Sequence, residues 1–103
     1  MVDYKKKRKA GVIDEFVGKR LRSVRVSANL SQQQIAEVIG VTFQQIQKYE
    51  LGKNRISAGN LYILAKFLNI TLDDFYEGLE EEVIFSEIEP WRVEKKQDRK
   101  ALQ

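Results

Sequence analysis

Two helix-starting signals eleven residues apart, with one glycine between them, constrain this chain more than any other feature. Ser31-Gln32-Gln33-Gln34 has the form of a capping box: the Ser31 hydroxyl accepts from the Gln34 backbone N–H, and the Gln34 side chain reaches back to Ser31. Thr42-Phe43-Gln44-Gln45 repeats that form. Between them Gly40 can end the first helix at positive φ without a Cβ clash. Two short helices must then meet at a very tight turn. Ala36 is small enough to let them cross closely, and Ile46 fills the wedge between them. This small–glycine–apolar spacing, of four and then six residues, is what such a turn requires.

The flanking residues extend the helical reading. Ile13, Phe16, Val17, Leu21 and Val24 recur at helical steps and predict a first helix with Asp14 in its first turn, stopped by Asn29. The helix after Ser31 carries Ile35, Ala36, Val38 and Ile39. The helix after Thr42 turns Ile46 and Tyr49 inward and stops at Gly52. Ser57 to Asn60 opens a fourth helix with Leu61, Leu64, Ala65 and Leu68 inward. Thr71 and Asp74 open a short fifth helix with Leu72 and Phe75, closed near Gly78. Strand patterning is absent from this stretch, so the expected fold is all-α, with five short helices in residues 11–78. Residues 1–10 are polar and aperiodic and read as a mobile basic N-terminal arm. Residues 79–103 read as a C-terminal extension broken by Pro90. Its apolar group, Val83-Ile84-Phe85, Ile88, Trp91 and Val93, is expected to pack on the core or on a second copy.

Composition removes whole classes of chemistry. The 103 residues include no cysteine and no histidine, which excludes disulfide frameworks, Cys/His zinc sites, thiol nucleophiles and every Ser-His or Cys-His arrangement. There is no glycine-rich phosphate loop and no metal-ligand cluster in the sequence, and Glu80-Glu81-Glu82 reads as a solvated face. A non-enzyme without metal or cofactor is expected. No apolar run approaches the roughly 18 residues of a membrane helix. Asp14 and Glu15 lie close behind the basic run Lys5–Lys9, so no apolar signal-peptide core forms there. A cytoplasmic, reducing location is expected, with no membrane contact.

The net charge of +3 is unevenly placed. Residues 1–10 carry five basic groups and one acidic, residues 79–90 five glutamates and no cation, and residues 91–103 five basic groups and two acidic. Basic ends around an acidic patch point to a polyanion partner or to oppositely charged contacts between subunits; solvated tails are the plain alternative.

The stretch Leu30 to Glu50, continuing through Gly52-Lys53 and from Leu61 to Phe75, resembles the Cro and repressor-type helix-turn-helix family, also called the Xre family. The resemblance covers about residues 12–78. It implies a five-helix, lambda-repressor-like domain, usually dimeric, that binds double-stranded DNA and regulates transcription. It also implies that Gln32 clamps a phosphate and that Arg25 and Glu50 form an internal salt bridge tying the first helix to the recognition helix, residues 43–51.

With Ile46 and Tyr49 inward, the helical step of about 100° puts Phe43, Gln44, Gln47, Lys48 and Leu51 outward. In a major groove Gln44 can pair with adenine, Lys48 with a guanine edge and Phe43 with a thymine methyl. Lys48 suits a base or a phosphate equally, Phe43 a base or packing against a neighbour, and Gln47 the groove or solvent; Gln45 reads as a cap. Phosphate contacts are expected from Gln32 and Gln33 at the start of the second helix and from Lys53, Asn54 and Arg55 after the third. Dimer contacts are expected at Tyr76, Leu79, Val83, Ile84 and Phe85, apolar residues left over from the core. The Lys5–Lys9 arm either tracks DNA or solubilises the chain.

Two function classes stand. One is a dimeric, sequence-specific DNA-binding transcriptional regulator, such as a repressor. The other is an antitoxin-like protein that also binds a protein partner through the acidic segment and Trp91.

Overall fold

The computed structural model describes residues 2–79 and 88–93, with side chains for 11–79 and 88–93. Regular structure among them is helical: α1 (Val2–Ser27), α2 (Gln32–Ile39), α3 (Phe43–Glu50) and α4 (Ala58–Leu68), followed by two 3-10 helices, Leu72–Tyr76 and Glu89–Trp91.

The starts are set by side-chain caps. Ser31 and Gln34 complete their reciprocal box, at 3.0 and 2.7 Å. Ser57 accepts from the Asn60 N–H at 3.1 Å, and Thr71 and Asp74 form a second reciprocal box. The stops use residues that tolerate positive φ: Asn29 at 62°, Gly40 at 69° and Asn69 at 60°. One core gathers Val17 and Leu21 from α1, Ile35 and Ala36 from α2, Ile46 and Tyr49 from α3, Leu61, Leu64 and Ala65 from α4, and Phe75 from the first 3-10 helix. α1 packs on α3 and on that 3-10 helix, and α4 packs on α2. Arg20 fastens α1 to the 3-10 helix, donating to the Asp74 carbonyl at 2.9 Å and meeting Glu77 at 3.3 Å.

Several expectations are corrected. Residues 2–10 are the first part of α1, not a separate arm, and Asp14 sits mid-helix, not in a first turn. Lysine, arginine and alanine are good helix formers, so aperiodicity was the wrong criterion. The fifth helix is a 3-10 helix of five residues, too short to repay α-helical nucleation; Phe75 anchors it, while Leu72 is exposed. The box opening α3 is half formed: Thr42 accepts from the Gln45 N–H at 3.2 Å, and nothing in the structure explains why Gln45 does not reciprocate. Trp91 and Val93 do not pack on the core, being 76% and 78% exposed. Val83, Ile84 and Phe85 lie outside the described residues.

Candidate nucleic-acid interface

The α2–α3 unit is held by local geometry. The Gly40 and Val41 N–H groups both turn back to the Ala36 carbonyl, so α2 ends in a left-handed cap and the chain re-enters a helix three residues later. Ala36 and Ile46 are fully buried at the crossing. Burial of Ile46, Tyr49 and Glu50 fixes the rotation of α3 and leaves Phe43, Gln44, Gln47, Lys48 and Leu51 exposed. The side chains of Gln44, Gln47 and Lys48 make no hydrogen bond or ion pair among the described residues.

Behind α3 lies a buried polar network. Arg25 donates to Glu50 through Nε at 2.6 Å and Nη2 at 3.1 Å, and through Nη1 to the Leu30 carbonyl at 2.9 Å. Gln32 Nε2 donates to Glu50 Oε1 at 3.0 Å. The Arg25 and Glu50 side chains are only 11% and 3% exposed. One carboxylate thus ties α1, the start of α2 and the end of α3 together and holds the Gln32 amide in place. A buried charge persists only when matched in this way.

The residues read as phosphate contacts have distinct surroundings. Gln33 donates to Glu37 at 3.3 Å along α2. Lys53 and Asn54 are exposed, and their backbone N–H groups turn back to the Lys48 carbonyl, which fixes this loop to the end of α3. Arg55 Nε meets Asp14 of α1 at 2.6 Å with its side chain 66% exposed, so part of its charge is already matched. Tyr76 is exposed and Leu79 half-buried.

Sequence reading passed over two groups. Arg22 shares a groove with Gln32, Gln47, Glu50 and Leu51; its position three residues before Arg25, on the same helix face, was the available signal. Tyr62, Ile63 and Phe67 are exposed large apolar side chains on α4, and Tyr62 shares a groove with Leu72 of the 3-10 helix. Their signal was excess: Leu61, Leu64, Ala65 and Leu68 already supply the inward face of that helix.

A family profile described as helix-turn-helix matches residues 21–75. The chain is 55% identical over 69 residues to an uncharacterised HTH-type transcriptional regulator of Rickettsia conorii, covering 67% of this chain and 55% of that protein. It is 52% identical over 68 residues to an uncharacterised transcriptional regulator from the ATPase CF(0) region of Rhodospirillum rubrum, covering 66% and 63%. The match thus spans less than two thirds of either relative's own length. Among solved structures, the restriction-modification controller protein C.AhdI of Aeromonas hydrophila aligns with a TM-score of 0.55 and 30% identity, over 61% of this chain and 94% of that one.

Proposed function

The chain belongs to the helix-turn-helix family of the Cro and repressor type, and we propose that it is a DNA-binding transcriptional regulator acting as a dimer, with α3 in the major groove. The observation that carries this reading is the row of exposed, unengaged polar side chains on a helix whose rotation is otherwise fixed. Gln44 offers a donor and an acceptor to adenine, Lys48 a donor to guanine, and Phe43 a ring to a thymine methyl; Gln47 lies beside them. Gln32, Gln33, Lys53, Asn54 and Arg55 flank this row and reach the sugar–phosphate backbone. Asp14 shares Arg55 with the phosphate, so Arg55 contributes less than a free arginine.

The dimer reading is supported by the exposed apolar side chains of Tyr62, Ile63, Phe67, Leu72 and Tyr76, on α4 and the 3-10 helix that follows it. Leaving five large apolar side chains in water is unfavourable, and a two-fold contact on this side of the domain would bury those of each copy against the other's. Tyr76 is exposed and Leu79 half-buried, immediately before the extension in the chain. The protein-partner reading is supported by Trp91, exposed beyond the domain; removal of residues 79–103 should then release a co-purifying protein.

Selection of bound sequences from a random duplex library tests the reading. Wild type should return two inverted half-sites whose centres lie about 34–36 Å apart, one helical turn. Ile63→Asp, which places a charge among these side chains, should return a single half-site at lower affinity. A library without enrichment contradicts DNA reading. A retained inverted pair in Ile63→Asp contradicts this dimer surface.

A further inference from the structure

We propose that the basic first turns of α1, residues 5–9, are a separate DNA-contacting surface, a helical rod lying along duplex outside the stretch covered by α2, α3 and the loop after it; this rests on the regulator reading above. Lys5-Lys6-Lys7-Arg8-Lys9 is an unbroken run of five cations. It belongs to α1, which continues without a break from Val2 to Ser27. Contacts along α1 fix where its start lies. Arg25 meets Glu50 at 2.6 Å, near the end of α3. Glu15 lies so close to Gly52 that a Cβ there would come within 2.6 Å of its Cγ. Asp14 meets Arg55 at 2.6 Å. Towards its start, α1 therefore passes from the end of α3 to the loop that follows. That loop sits beside the exposed row of α3, because the Lys53 and Asn54 N–H groups return to the Lys48 carbonyl. At 1.5 Å per residue, the backbone of residues 5–9 lies about 8–14 Å beyond Asp14 along the helix axis.

The charge pattern of this segment calls for a polyanion. Asp3 is the one acidic residue in positions 1–10. Lys5 and Arg8 stand three apart and Lys5 and Lys9 four apart, the spacings at which like charges destabilise a helix. The run also sits at the N-terminal end of α1, where the helix dipole favours anions over cations. An extended anion laid along the segment offsets both effects. Duplex DNA, with one charge per about 1.7 Å of axis, supplies one. The acidic segment 79–90, with five glutamates, is the other anion in view. Within one chain it leaves from the 3-10 helix, which is fastened to α1 at Arg20. That point is about 16–22 Å along α1 from the run, farther than the loop at Arg55. The placement therefore favours DNA.

The test uses the full chain and the duplex chosen by selection, with flanking sequence on both sides and affinity measured from low to moderate salt. Each neutralised phosphate contributes about 0.9 to the slope of log affinity against log salt. Lys5→Gln, Lys6→Gln, Lys7→Gln, Arg8→Gln and Lys9→Gln combined should lower that slope by about 2 or more and weaken binding about tenfold or more. Base preference in a repeated selection should stay unchanged, and the urea unfolding midpoint should not fall. Ala10→Pro keeps every cation but breaks the helix between the run and the domain, and proline is tolerated in the first turn of the helix that remains. It should lower the slope by about 1 or more. An unchanged slope and affinity in the glutamine variant overturns the inference while leaving the regulator reading intact. A wild-type slope in Ala10→Pro overturns it as well, since the charges then act without the helix. If the glutamine variant loses its dimer in sedimentation without DNA, the run serves the acidic segment of a second copy and the inference fails. A wild-type chain that selects no sequence fails the regulator reading itself, a result visible before any variant is made.

Discussion

Replacing Arg25 with alanine is expected to destabilise the fold by about 3–5 kcal/mol. The Glu50 side chain is 3% exposed, and two of its partnerships come from Arg25. Without the guanidinium, the carboxylate stays buried with Gln32 as its remaining side-chain partner, donating at 3.0 Å. The Leu30 carbonyl loses its donor as well. Against a total stability of about 5–15 kcal/mol for a domain, this is a large fraction. The cost comes from stranding a charge and not from losing a favourable pair, so a double variant with apolar side chains at both positions should recover much of it. Urea unfolding of the two single variants and the double variant measures this. A loss under about 1 kcal/mol in Arg25→Ala, the value of an exposed pair, would contradict the burial of this pair.

Gly18→Ala should also be severe, with a sign opposite to the usual one. Glycine to alanine inside a helix ordinarily stabilises by up to about 1 kcal/mol. A Cβ at Gly18 would overlap the Tyr49 carbonyl oxygen and lie 3.0 Å from that of Glu50. Both are backbone atoms at the end of α3 and cannot swing aside. α1 must then back away from α3, which strains the crossing that sets the orientation of α3. A loss of about 3 kcal/mol, at the upper end for overpacking, is expected. Gly11, also within α1, has nothing within 4 Å of its Cβ position. Gly11→Ala should therefore raise the unfolding midpoint by the ordinary amount. Opposite shifts in the two variants, measured side by side, identify the close approach; stabilisation by both would contradict it.

The contrast between these two glycines shows what sequence can and cannot reveal. Ser31 with Gln34, Gly40 with Ala36, and the inward pair Ile46 and Tyr49 were legible because each depends on residues within a few positions of one another. The salt bridge of Arg25 and Glu50 came from resemblance, since nothing in either residue's neighbourhood shows that they meet across 25 positions. Gly18 went unread because its partner is a backbone atom in another helix. The pairing of Asp14 with Arg55 went unread because it spans 41 positions and joins two residues that each have an ordinary surface role. The reach of α1 back to Val2 was missed because periodicity reports burial, and a helix can continue beyond the surface it buries. Arg22 is legible only once Arg25 is known to be committed. The candidate site was therefore readable along α3, where helical rotation alone decides exposure, and unreadable where α1 contributes to it.

The most direct measurement is a matched pair of library selections, wild type against Gln44→Ala. If the exposed row of α3 reads base edges, the variant should lose preference at one A·T pair in each half-site, by about 1–3 kcal/mol, with preferences elsewhere retained. Identical preferences from both proteins would contradict a base-reading role for that face.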